Sequence, residues 1–376
     1  MSFFFIAGEP SGDAHAARLV ATLRSRLPEA RFAGLGGDAM RQEGVTLYQD
    51  YREMAFMGVV AVLKNLSNVM RNFQIAQEAL IKEQPDVLVL VDYPSFNLRM
   101  ATFCKKHLPK TKVVWYIAPK VWAWKRWRVH KIARYSDLIL GIFPFEPHFY
   151  ARYGYKCLYV GNPTVEACAR GKERSQPARK LSPFRNYIAV LPGSRRSEIE
   201  HCLPRMIRAA REAAPNSKVI IAGTPALPRD IYSHLAPGVD VVFGETYDLL
   251  AGAEAAVVNS GTATLEASLL GCPQVAVYHI AVPHAVYLAS LLFSNPVGDA
   301  KPPFFTLPNI ILGREVIKEL IGARFTTHAV AAELRTLLSD SIYRSRQTAD
   351  YKQICATLGD NEASSCAADR IMEVIN

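Results

Sequence analysis

Short apolar runs rich in β-branched and aromatic residues alternate along this chain with longer amphipathic stretches. The first series of candidate strands covers residues 2–6, 31–35, 87–91, 113–117, 138–142 and 157–160. A second series covers 187–191, 218–221, 239–243, 255–259 and 274–278. Most are continuous apolar runs, as strands covered on both faces require. Helical stretches such as 14–27, 71–83 and 199–213 lie between them. Strand, helix and strand repeated in this way predict an α/β fold with parallel, doubly wound sheets. Residues 169–183 (ARGKERSQPARKLSP) are polar, charged and without apolar period, and read as a linker. They divide the chain into Rossmann-like domains at 1–170 and 184–340. After Pro308 the pattern reads as helical, near 315–321, 328–338, 342–358 and 362–374. Residues 341–376 are expected to return to the first domain or to reach a partner.

Length agrees with two domains, since a single core stops growing near ~250–300 residues and the chain has 376. The N-terminal apolar run is too short for a signal peptide, and no window reaches the ~18 apolar residues of a membrane span. Seven scattered cysteines without a CxxC pair argue against zinc and iron–sulfur sites and fit reduced thiols. The nine histidines show no ligand or triad spacing, so no metal and no cofactor is expected. Charge changes the picture more. Net charge is +10, yet residues 93–136 hold eleven Lys/Arg and no Asp or Glu, so the basic field is concentrated there. Such a field attracts phosphate-bearing partners.

Open α/β sheets bind ligands outside the carboxyl ends of their strands, so residues just after strands are the candidates. AGEPSGD (7–13) follows the first strand and opens a helix, with Glu9 at the strand end and Ser11 or Asp13 as caps. VDYPSFN (91–97) puts Asp92 where a carboxylate can take a proton from an attacking hydroxyl. LPGSRRSEIE (191–200) offers Gly193 for backbone freedom, Ser194 in an anion nest, and Arg195 for a bidentate phosphate grip. In VVNSGTATLEASLLGCP (257–273), Ser260, Gly261 and Thr262 stand at the positive end of a helix suited to a diphosphate. Glu266, one turn on, suits two ribose hydroxyls. GLGG (34–37) lacks dinucleotide spacing.

All four tryptophans lie between 115 and 127. Trp122, Trp124 and Trp127 interleave with Lys125, Arg126 and Arg128, a mixture suited to anionic headgroups. Base stacking with phosphate neutralisation uses the same residues, so RNA binding competes; core packing beside a solvated basic helix is the plainer account. The stretch 54–70 carries more apolar surface than one helix stripe needs, Met57, Val60 and Leu63 included. It is either a buried core helix or a face for acyl chains.

Taken together, AGEPSGD, VDYPSFN, IAPKVWAWKRWRVHKI, LPGSRRSEIE and NSGTATLEASLLGCP resemble the motifs of lipid-A-disaccharide synthases, from residue 7 to 320. The resemblance implies a metal-independent GT-B architecture, two Rossmann-like domains facing a cleft. It implies inverting transfer of 2,3-diacylglucosamine from UDP to 2,3-diacylglucosamine 1-phosphate, with a β-1,6 bond formed and UDP released. It assigns importance to Glu9, Asp92, Arg195 and Asn309, and places Gly193, Ser194, Arg195, Ser260–Thr262, Glu266 and Asn309 at the UDP-sugar site. It implies a cytoplasmic protein, peripheral at the inner face of the inner membrane, and allows a homodimer. One departure is Ser95, where many members carry a second Asp. It makes Asp92 the better base, with Glu9 the other candidate. A UDP-GlcNAc epimerase on a related scaffold is the alternative enzyme, and an RNA-binding protein the alternative of another class. The cleft motifs argue against nucleic acid, which has no need of them.

Overall fold

A computed structural model describes residues 1–54, 66–122, 126–174, 186–280 and 304–375. They form two compact units, Met1–Pro163 with Asn361–Asn376, and Thr164–Asp360.

The first unit is built on a parallel seven-stranded sheet. Its strands are β1 (Ser2–Ala7), β2 (Arg31–Gly36), β3 (Thr46–Asp50), β4 (Val87–Val91), β5 (Lys112–Tyr116), β6 (Leu138–Gly141) and β7 (Leu158–Tyr159). Their spatial order is β3-β2-β1-β4-β5-β6-β7, and every pair is parallel. The chain winds outward from β1 in one direction and then from β4 in the other. Between β1 and β4 lies the topological switch point, where such sheets open a ligand crevice. FFFI in β1 and VLVLV in β4 are buried throughout because helices cover both faces of the sheet.

The second unit repeats the plan with β8 (Tyr187–Leu191), β9 (Lys218–Gly223), β10 (Asp240–Phe243), β11 (Ala255–Asn259), β12 (Gln274–Tyr278) and β13 (Lys318–Ile321). The order β10-β9-β8-β11-β12-β13 puts its switch point between β8 and β11. Alternate residues of β8 feed two cores. Ile188 and Val190 join the cluster with Ile199, Leu203 and Leu334, while Tyr187, Ala189 and Leu191 join Leu249, Val258 and Ala267 on the other face.

Several sequence expectations are revised. Residues 315–321 were expected to be helical, but Lys318–Ile321 is the edge strand β13, parallel to β12. The helix there is Leu307–Leu312, started by Pro308 and ended by Gly313 in the left-handed region. In so short a segment, backbone pairing along an open edge outweighs helical propensity. Strand β3 went unread because TLYQD is polar and lies at the other edge. The expected linker begins inside the helix Pro163–Arg174, residues 175–185 lie outside those described, and the division falls at Pro163/Thr164. The terminal helices part company as well. Ser341–Leu358 stays with the second unit, where Gln347 Oε1 accepts from Gln274 N at 2.8 Å and its Nε2 donates to Gln274 O at 3.2 Å. Only Ala363–Ile375 joins the first unit, packed on Pro10–Arg26, where Arg26 donates to Ser365 at 2.7 Å.

Candidate active site

In the first unit one of the two switch-point strands, β4, ends in backbone that few sequences tolerate. Asp92 and Tyr93, directly after β4, have φ of 44° and 48°. Left-handed backbone costs a non-glycine residue on the order of 1 kcal/mol or more and persists only where the surroundings enforce it. Here Asp92 N donates to Ile117 O at 3.2 Å, tying the loops after β4 and β5. The wholly buried Asn97 donates Nδ2 to Asp92 O at 2.8 Å, with Val91 O and Ile6 O nearby at 3.3 and 3.4 Å. Tyr93 donates its hydroxyl to Met54 O at 3.0 Å and lays its ring over Gly8, where a Cβ would overlap it. Partly buried Asp92 is thus held rigidly at the carboxyl end of β4.

The electrostatics follow from that burial. Loss of water pushes the Asp92 carboxyl above the usual carboxylate range, while the Lys120 ammonium and the Tyr93 N–H pull it back. The same Lys120 acts on His15, whose imidazole is held down to about 4 by burial first and then by Arg18 and Lys120. Glu9 follows β1 in extended backbone, partly buried, and its charge acts on the Tyr93 hydroxyl. Glu9 and Asp92 thus stand at the ends of the two switch-point strands, Glu9 acting on Tyr93 and Lys120 acting on Asp92.

Asp13, expected as a cap of its own helix, does something else. Its Oδ1 accepts from Gly37 N at 2.7 Å and Met40 N at 3.2 Å, and its Oδ2 from Ala39 N at 3.0 Å. It therefore caps the short helix Asp38–Gln42 and explains the GLGG turn, where a side chain on Gly37 would strike Asp13 and Tyr51.

The Trp-basic segment divides. Trp122 turns inward: its Nε1 donates to Glu146 Oε1 at 3.0 Å, and its ring meets the edges of Phe143 and Phe145 at 5.8 and 5.0 Å. Wholly buried Glu146 also accepts from Ile142 N and Phe143 N at 2.6 and 2.9 Å, and burial raises its carboxyl to about 7. Trp115 is a core residue of β5. Trp127 is 62% exposed, with the Arg128 guanidinium 5.6 Å from its ring centre. Arg126 reaches Trp122 O at 3.4 Å. Trp124, Lys125, Met57, Val60 and Leu63 lie outside the described residues.

In the second unit the switch point brings the two glycine turns together. Gly193 has φ of 112°, and a Cβ on it would collide with Glu198 Oε2 and, at 2.8 Å, with Asn259 Nδ2. The second residue after β8 thus approaches the last residue of β11 closely. Exposed Ser194 and Arg195 lead into the helix Arg196–Ala213, and Arg195 Nη1 lies 3.2 Å from Glu198 Oε1. After β11, Ser260 N donates to Val277 O at 2.7 Å, anchoring the turn to β12. Gly261 and Thr262 then open the helix Thr262–Leu269. Neither of these two helices has a side-chain cap on its first N–H groups. Two helix starts at one switch point, neither capped by the side chain of its own N-cap residue, suit an anion with several oxygens. Glu266 lies in the same helix, largely sequestered, with its carboxyl raised by burial and eased by the Tyr247 hydroxyl at 3.3 Å.

Asn309, expected at the UDP site, has its side chain engaged in local structure. Its side chain is fully buried, and all four hydrogen-bonding positions are used internally. Oδ1 accepts from Val316 N and Ile317 N at 2.7 and 2.9 Å; Nδ2 donates to Ile317 O and Glu319 Oε1 at 2.9 and 2.8 Å. It clips the turn before β13 and has no group left for a ligand. Sequence reading missed Lys120, His15, Tyr93 and Asn97, and also the His201–His279 ring stack at 4.8 Å beside β12. Tyr93 and Lys120 lie two and four residues after strands, within reach of the same reasoning. The histidine pair joins residues 78 positions apart and left no local signal.

Among the described residues no group of His, Cys, Asp and Glu could hold a metal, and no helix is long and apolar enough to cross a membrane. Among solved structures, the fold resembles UDP-GlcNAc 2-epimerase from Methanocaldococcus jannaschii in complex with UDP-GlcNAc and UDP, with TM-score 0.65, 13% identity and 99% of each chain covered. It also resembles the calicheamicin glycosyltransferase CalG4, with TM-score 0.58, 17% identity, and 100% of this chain and 98% of that one covered. At such identities the likeness extends to the fold alone. Sequence comparison goes further. The lipid-A-disaccharide synthase of Myxococcus xanthus is 35% identical, and that of Geobacter sulfurreducens 32%, each over 98% of this chain and 96% of the relative. The sequence profile of lipid-A-disaccharide synthetase matches residues 3–372. With both switch points formed and the match spanning both units, the chain belongs to the lipid-A-disaccharide synthase family and is a glycosyltransferase.

Proposed function

We propose that this glycosyltransferase moves 2,3-diacylglucosamine from UDP to the 6-hydroxyl of 2,3-diacylglucosamine 1-phosphate, inverting the anomeric centre. The observation that carries the reading is the state of Asp92: a carboxylate held by strained backbone at a switch point and made more basic by burial. It accepts the hydroxyl proton as that oxygen bonds to the donor's anomeric carbon. The bond from that carbon to the diphosphate breaks with its electron pair, and UDP departs. Arg195 and the helix starts at Arg196 and Thr262 receive the growing negative charge, and Glu266 takes the ribose. Glu9 orders the hydroxyl beside Tyr93. The epimerase alternative rests on likeness of fold only.

The basic segment around Trp127 and Arg128 supports peripheral attachment to an anionic membrane at the inner face of the inner membrane. A second copy of the chain is carried by the resemblance alone and is read out by sedimentation velocity.

The decisive experiment follows UDP release and disaccharide formation in detergent micelles. Asp92→Asn is expected to lower kcat by about 10²–10⁴ with the fold retained. Wild-type turnover in Asp92→Asn, with loss in Glu9→Gln, would transfer the base to Glu9.

A further inference from the structure

The transfer step proposed above gives no role to Arg128. Arg128 opens the helix Arg128–Arg134, which follows the loop after β5. It is partly buried, and loss of water alone depresses its guanidinium below the ordinary value. Arginine keeps its charge even so. Its Nε–H is buried without an acceptor, and among the described residues no carboxylate pairs with it. Both Nη1 and Nη2 instead reach the same neutral oxygen, Ser95 Oγ, at 3.4 Å, beyond the usual hydrogen-bond range. A fork of donors whose Nε–H is buried, with both Nη groups facing a hydroxyl, is complementary to an anion with two or three oxygens.

Its position says which anion. Ser95 stands in the first turn of the helix Pro94–His107, three residues after Asp92, where no side chain caps the helix and no acidic residue lies in the turn. The loops after β4 and β5 are neighbours, joined by the Asp92 N to Ile117 O hydrogen bond. An acceptor bearing its attacking hydroxyl and its phosphate on one sugar ring needs base and phosphate subsite on adjacent loops. We infer that Arg128, together with the Ser95 hydroxyl, forms the subsite that reads the phosphate monoester of the acceptor. The assignment rests on the transfer reaction proposed above.

The test compares wild type, Arg128→Gln and Arg128→Ala. One arm measures kcat/KM in neutral detergent for the acylated acceptor with and without its 1-phosphate. In both variants the preference for the phosphorylated acceptor is expected to fall at least about tenfold, through acceptor KM, with donor KM unmoved. A second arm needs no turnover. It follows ³¹P line broadening of glucosamine 1-phosphate, which wild type causes and both variants lose. Broadening that depends on Arg128 in a protein that transfers no sugar would keep the subsite and remove the transfer reading. A preference unchanged in both variants, or broadening independent of Arg128, would overturn the inference. So would loss of phosphatidylglycerol-vesicle binding in Arg128→Gln with the acceptor preference intact, which would make the anion a headgroup.

Discussion

Gly8 lies against the face of the Tyr93 ring, so the residue after β1 and the second residue after β4 close on each other across the switch point. A side chain at Gly8 cannot be placed without moving that ring. The ring is tethered by its hydroxyl to Met54 O and follows Asp92 directly in the chain. The contact therefore sets the position of the proposed base.

Gly8→Ala is expected to push Tyr93 aside and tilt Asp92. Overpacking of this kind costs typically ~1–3 kcal/mol, and misplacement of a reacting group by about 1 Å costs on the order of 10² in rate. The combined measurement is kcat/KM with a denaturant melt. A variant with wild-type activity would show that the ring does not position Asp92.

The acid limb of the pH–rate profile is expected above the ordinary carboxylate value of 3.8, because burial raises Asp92. Activity requires the ionised form, so it is lost as pH falls through that raised value. Lys120 favours the ionised form, and Lys120→Met removes that help. The limb should then move to higher pH. A limb that stays in place, or moves down, would separate Lys120 from Asp92.

Asn309→Ala should act on stability before it acts on catalysis. It strands the Val316 and Ile317 N–H groups, and each unsatisfied buried group costs about 1–3 kcal/mol. A clear fall in melting temperature is expected, with UDP affinity measured by calorimetry preserved in the cold. An unaltered melting curve with UDP binding abolished would return Asn309 to the ligand.

Two glycines of the second unit should separate cleanly. Gly193→Ala meets both a left-handed backbone and the side chains of Glu198 and Asn259, so UDP affinity and stability should fall together. Gly261 has extended backbone with φ of 169° and open space at its Cβ position. Its replacement by Ala should change unfolding free energy by less than ~0.5 kcal/mol. Calorimetric titration with UDP and a denaturant melt on each variant decide the matter; equal destabilisation by both would refute the distinction.

Much of this molecule was legible in order of residues alone. Continuous apolar runs such as VLVLV and YIAVL can be buried only in a sheet covered on both faces, and turns after them mark the crevice. That reasoning located Glu9, Asp92, Gly193, Arg195 and the Ser260–Thr262 turn at strand ends. It failed at sheet edges, where Lys318–Ile321 and Thr46–Asp50 owe their conformation to a neighbouring strand. It failed again for Asp13 and Asn309, polar residues whose partners lie on other elements. Asp13 looked like a local cap and holds the turn after β2; Asn309 came with a family role and is sealed around the turn before β13.

The sequence by itself determined the periodicities, the two series of strands, the basic segment and the kinship. Each of these is a property of neighbours along the chain or of composition. Only the tertiary structure decided which charges share an environment: Lys120 beside Asp92, Trp122 turned inward to Glu146, Arg128 facing a hydroxyl instead of an acid. Burial and Coulomb interaction depend on distance through space, and that distance is set when strands far apart in sequence pair in one sheet.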